Sequence, residues 1–151
     1  MAKPRSIEAA CPVARALGVI GDEWSLLIVR DAFDGVRRFG KFQKNLGVAK
    51  GILASRLKDL VERGILETAP AADGTAYQEY TLTEKGRGLF LVIVALRQWG
   101  EDHLFSPGER HSELIDVADG RPVGRLELRS ADRRPLGWEE TLVRKLDESA
   151  G

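Results

Sequence analysis

Apolar positions recur at helical spacing through the first part of the chain. The stretch CPVARALGVIG (Cys11–Gly21) reads as a short helix that stops at glycine, with Pro12 suited to a first turn. Asp22 is a good N-cap for a second helix, in which Trp24, Leu27, Ile28 and Asp31–Ala32 keep the period up to a turn at Asp34-Gly35. A third, short helix is predicted from about Phe39 to Asn45, with Phe39, Phe42 and Leu46 on one face. Gly47 breaks it. A fourth runs from about Ala49 to Arg63 and ends at Gly64, as a C′ glycine would end it. Its stripe is Leu53, Leu57, Leu60 and Val61, which leaves Gly51, Ser55, Lys58 and Glu62 on the solvent side and Arg56 near its margin.

Two strands are predicted next, ILETA (Ile65–Ala69) and YQEYTL (Tyr77–Leu82). They are joined through Asp73-Gly74, a hairpin turn signal. Thr83-Glu84-Lys85 then opens what reads as the longest helix, running to about Phe105. The tail differs in kind. ADGRPVG (Ala118–Gly124) recurs as ADRRPLG (Ala131–Gly137), each copy beside alternating segments, which predicts a small β appendage with two similar turns. The expected architecture is mainly α with a little β. Residues 1–106 form one domain and 107–151 a β-rich appendage.

A short helix, a glycine turn and a second amphipathic helix make a helix-turn-helix, and the hairpin after it makes a wing. Charge sharpens this picture. The chain has 23 Lys+Arg and 23 Asp+Glu, yet Arg37–Arg63 holds eight basic and two acidic residues, an excess of six. Lys41, Lys44, Lys50, Arg56 and Lys58 would supply phosphate contacts, and Gly47 and Gly51 would let backbone approach closely. The alternatives are a solvated basic helix pair with no partner, a winged helix that serves as a protein-interaction module without binding DNA, and a small enzyme or ligand carrier built on the tail.

Composition adds bounds. Hydrophobic residues are 43% and charged residues 30%, ordinary for a folded soluble domain. The single cysteine excludes an intramolecular disulfide, MAKPRSIEAA lacks the apolar core of a signal peptide, and Leu89–Leu96 falls far short of the roughly 20 residues of a membrane span. A cytoplasmic protein is expected. Ser25, Ser55 and Ser112 lack a nucleophile-elbow setting, no phosphate loop is present, and His103 and His111 make a weak metal signal. No catalysis, metal or cofactor is expected. Trp24, Trp99 and Trp138 read as packing residues.

Several fragments are individually distinctive: the Cys-Pro start, IGDEW, FDGVRRFG, SRLKDLVERGIL and YTLTEKG. Over about Cys11 to Phe105 the sequence resembles the HxlR-type winged-helix transcription regulators, dimeric DNA-binding proteins related to the MarR group. The resemblance implies that Ala49–Arg63 is the recognition helix, with Ala49, Lys50, Gly51, Ser55 and Arg56 nearest DNA and Arg37, Arg38 and Lys41 near the backbone. Family wings often carry arginine. Pro70–Ala76 has none, leaving Thr75 and backbone amides as the wing's phosphate contacts.

The run LFLVIVALRQW (Leu89–Trp99) is apolar nearly all round its helix, so it should be buried on more than one side. The resemblance implies that the first and last helices form a homodimer interface, which would include Leu17, Val92, Leu96 and Trp99. A two-fold dimer would bind a pseudo-palindromic operator, most simply as a repressor. Cys11, next to a helix start, is a candidate redox sensor for an electrophile or other small effector, or else an inert small buried residue.

Overall fold

The computed structural model describes residues 10–146; the reading of the first residues as lacking a signal peptide lies outside them. The chain forms two compact units, one ending at Ile93 and the other starting at Val94.

The first unit opens with α1 (Pro12–Ile20) and α2 (Ser25–Phe33). Asp22 caps α2 from two residues before its N-cap position, accepting the backbone N–H of Trp24 at 3.0 Å and of Ser25 at 2.9 Å. Helix α3 (Phe39–Leu46) ends on Gly47, whose φ of 63° is the left-handed conformation that glycine adopts without steric cost. Helix α4 (Lys50–Glu62) ends in a Schellman motif. The Gly64 N–H donates to the Val61 carbonyl at 3.0 Å and the Ile65 N–H to the Leu60 carbonyl at 2.9 Å, with Leu60 and Ile65 both buried.

The predicted stripe of α4 is the core. Leu53, Leu57 and Leu60 are at most 1% exposed and pack with Ile28, Val29, Phe42 and Leu66. Burying each such side chain contributes about 1.5–3 kcal/mol relative to leaving it in water. The inward packing of this stripe fixes the outward direction of the opposite face.

Strands β1 (Leu66–Pro70) and β2 (Gln78–Leu82) pair antiparallel, from Leu66 opposite Leu82 to Pro70 opposite Gln78. The Tyr80 N–H also donates to the Arg37 carbonyl at 2.7 Å, tying the segment before α3 to the outer edge of the hairpin. Thr83 closes the wing: its hydroxyl donates to the Gly64 carbonyl at 2.5 Å and accepts the Gly86 N–H at 3.0 Å.

The single long helix expected from Thr83 is broken. It forms α5 (Glu84–Arg87) and, after a turn at Gly88–Leu89, α6 (Phe90–His103). Gly86 sits so close to the residue that leads into β1 that a Cβ there would lie 2.2 Å from the Ile65 carbonyl oxygen. That packing, with two weak helix formers at 86 and 88, stops the first helix after one turn.

In the second unit Gln98 is buried and binds the tail from α6, donating to the Gly124 carbonyl at 3.1 Å and accepting the Leu126 N–H at 2.8 Å. The tail holds less sheet than its alternation predicts. It has a two-residue hairpin, β3 (Leu128–Arg129) with β4 (Pro135–Leu136), and one isolated bridge from Ile115 to Pro122. The two near-repeat turns do share a shape: Gly120 and Arg133, equivalent in the repeat, both have φ of 70°. Trp138, expected to pack, is 82% exposed.

Candidate nucleic-acid interface

The outward face of α4 presents Gly51, Ser55, Lys58 and Glu62, all exposed, one above the next at helical spacing. Its start is open. Ala49 occupies the N-cap position without a side-chain hydrogen bond to the first turn, so α4 begins with uncapped N–H groups beside exposed Lys50. Nothing lies within 4 Å of where a Gly51 Cβ would stand, and its φ is not positive. Neither packing nor backbone conformation requires a glycine there.

Helix α3 adds exposed Lys41 and Lys44. Among the described residues, Lys41, Lys44, Lys50 and Lys58 have no carboxylate partner within ion-pair distance. The three arginines predicted for the same surface all have one. Arg37 Nη1 lies 3.7 Å from Glu79 Oε2 on β2. Arg38 donates to Asp73 at the wing tip, lies 3.8 Å from Glu79 Oε1, and stacks 5.3 Å from the centre of the Tyr77 ring. Arg56 Nη1 lies 3.7 Å from Asp22 Oδ1.

Asp73 anchors this arrangement. Its Oδ1 accepts the Thr75 N–H at 3.0 Å within its own turn, and its other oxygen takes Arg38. These hydrogen bonds, Thr75 first, hold its carboxyl down to about 2. The Thr75 amide, expected at phosphate, is thus engaged by Asp73. Sequence reasoning missed the carboxylate and aromatic partners Asp22, Asp73, Tyr77 and Glu79. Asp73-Gly74 signalled a turn, but nothing in one dimension places it against a residue 35 positions earlier.

The expected dimer residues are at the surface of the single chain: Leu17 on α1 is 57% exposed, and Leu96 and Trp99 on α6 are 51% and 57%. Val92, Leu96 and Trp99 recur at four and three residues, along one side of α6. Cys11 is half-buried at the N-cap position of α1, where its Sγ accepts the Ala14 N–H at 3.5 Å. The two histidines stack on aromatics, His103 on Trp99 and His111 on Phe105. No group of metal-ligating residues gathers among the described residues, and no helix is long and apolar enough to cross a membrane.

A family model described as HxlR-like helix-turn-helix matches residues 19–107. The chain belongs to the HxlR-like helix-turn-helix family. The chain is 50% identical over 116 residues to an uncharacterized HTH-type transcriptional regulator of Mycobacterium tuberculosis, Rv3095, covering 74% of this chain and 73% of that protein. The crystal structure of PA1607, described as a candidate transcription factor, is 57% identical with a TM-score of 0.86, over 90% of this chain and 95% of that one. The redox regulator HypR in its reduced form is 30% identical with a TM-score of 0.57, over 62% of this chain and 93% of that one. As an HxlR-like chain with a winged helix-turn-helix, this protein is a transcriptional regulator.

Proposed function

We propose that the protein acts as a homodimer on a short inverted-repeat operator and represses from it, with α4 in the major groove. The observation that carries this reading is the open start of α4. Ala49, Lys50, Gly51 and Ser55 are exposed there, directly opposite a fully buried leucine stripe. A major groove admits a helix, and a surface free of bulky side chains lets the backbone come close to base edges. Lys41, Lys44 and Lys58, with Arg37, Arg38 and Arg56 on exchange from their carboxylates, neutralise phosphates; Thr75 lies at the wing's edge of the same surface. The exposed apolar side of α6 and Leu17 of α1 supply the two-fold contact. The two α4 helices then meet half-sites about one DNA turn apart.

Residues 1–106 carry binding and dimerisation in this reading, and 107–151 form an appendage to them. A cytoplasmic location follows from the role. Where thiol chemistry is the input, Cys11 is the residue through which it acts, being the only cysteine in the chain.

Fluorescence anisotropy with duplex DNA from the promoter upstream of the protein's own gene, at several salt concentrations, tests the reading. A steep salt slope with a retained sequence preference is expected. Lys50→Ala and Arg56→Ala should lower it. Weak binding that ignores salt and tolerates both substitutions would favour a protein-interaction module instead.

A further inference from the structure

We infer that Asp73 at the wing tip is a built-in competitor for Arg38, holding the guanidinium until a DNA phosphate displaces it, so that this one carboxylate limits operator affinity. The inference rests on the DNA-binding reading above and assigns a residue to it.

The wing-tip geometry favours exchange of one anion for another. The Arg38 side chain is 38% exposed and that of Asp73 is 50% exposed, so a phosphate can reach the guanidinium from solvent. An ion pair that open to water is weak, and its partners exchange readily. The two partners are unequally fixed. Asp73 is held by its own turn through the Thr75 N–H, independently of Arg38. Arg38 is held by longer contacts, Glu79 at 3.8 Å and the Tyr77 ring at 5.3 Å, which remain when Asp73 is displaced. Glu79 is the more enclosed carboxylate, its side chain 13% exposed, and it keeps the arginine at the wing. Asp73 therefore stays in place as the moving guanidinium turns to phosphate, and it is left as an unpaired negative charge beside the DNA.

This arrangement also accounts for a wing that carries no arginine of its own between Pro70 and Ala76. Instead of reaching into a groove, the wing tip presents a carboxylate to a cation delivered from the start of α3. A phosphate and a carboxylate both bind guanidinium in the same planar, two-point fashion, which is why one can replace the other.

Asp73→Asn separates the two roles of the side chain. The amide oxygen can still accept the Thr75 N–H, preserving the turn, while the charge is gone. The full-length protein and the same promoter duplex are titrated by anisotropy over a salt series. Operator binding of Asp73→Asn should be about two- to five-fold tighter at low salt, the range an exposed ion pair commands. Its salt slope should steepen by just under one, because Arg38 no longer trades one anion for another. In an Arg38→Ala background the same Asp73→Asn change should give a clearly smaller gain, since only the repulsion between Asp73 and the DNA is left to relieve.

Unchanged or weaker binding of Asp73→Asn overturns the inference. So does an equal gain in the Arg38→Ala background, which would make Asp73 a general repulsive charge. If thermal melting shows that Asp73→Asn loosens the wing, Asp73→Ser, whose hydroxyl can cap the same turn, answers the question in its place. Absence of salt-dependent binding by the unchanged protein is a different result, and it overturns the DNA-binding reading itself.

Discussion

Arg56 Nη1, on the side of α4, stands 3.7 Å from Asp22 Oδ1, one oxygen of the carboxylate that caps α2. One side chain thus closes the start of α2 and tethers a cation of α4.

Asp22→Ala should lower the stability of the fold by about 1 kcal/mol through loss of the cap. Asp22→Asn should lose less, since its amide oxygen still accepts the amide protons. Burial works to raise the Asp22 pKa, but the hydrogen bonds from Ser25 and Trp24, with Arg56, outweigh it and lower the pKa below 3.8. A lowered carboxylate pKa adds stability above the unfolded value, and that stability is lost as pH falls. Urea midpoints of the unchanged protein and Asp22→Asn should therefore differ at neutral pH and converge below pH 3.8. A gap that widens on acidification would reverse the assignment.

Two glycines within helices should respond oppositely to alanine. At Gly51 there is open space and an ordinary helical backbone, so Gly51→Ala should stabilise the fold by up to about 1 kcal/mol. If backbone approach to DNA is its role, the same variant should bind its operator less tightly. Calorimetry and anisotropy on one preparation would show stability and affinity moving in opposite directions.

Gly86→Ala should do the reverse to stability. The added methyl would stand 2.2 Å from the Ile65 carbonyl oxygen and 3.1 Å from Leu82 Cδ2, at the junction of α4, the wing and α5. Relief requires backbone movement, and a loss of about 1–3 kcal/mol is expected. A midpoint within error of the unchanged protein would show that this contact is slack.

Leu96→Glu places a charge on the exposed apolar side of α6 without removing any contact of the core cluster. Sedimentation equilibrium should find the unchanged protein dimeric and Leu96→Glu shifted strongly towards monomer, with an unaltered far-UV spectrum. Operator affinity should fall with it, because two half-sites no longer act together. Equal mass for both proteins would remove α6 from the interface.

The parts of this fold legible in the sequence were those written at one period. The stripe Leu53, Leu57, Leu60 declared both the core and its opposite face, and Gly47 and Gly64 marked helix ends that the backbone indeed makes there. What escaped reading depends on residues distant in the chain. The break between α5 and α6 arises because Gly86 touches Ile65, so local helical spacing ran straight through it. The pairing of Arg38 with Asp73 and of Arg56 with Asp22 turned apparently free cations into partnered ones, which a count of charges over Arg37–Arg63 could not reveal. In the tail, alternation overstated the sheet, because nearly every side chain from 107 to 146 is exposed and gives strands nothing to pack against.

The wing-tip turn has a consequence for what kind of signal can reach it. With its carboxyl held near 2, Asp73 keeps its charge under any condition a cell experiences, so acidification leaves the Arg38 contact untouched. Dissolved salt does not. Raising ionic strength from 0.1 M to 1 M shortens the screening length from about 10 Å to about 3 Å and weakens every exposed pair. The Asp73 contact is therefore deaf to protons and attentive to ionic strength, and its grip on Arg38 is set by the ions dissolved around it.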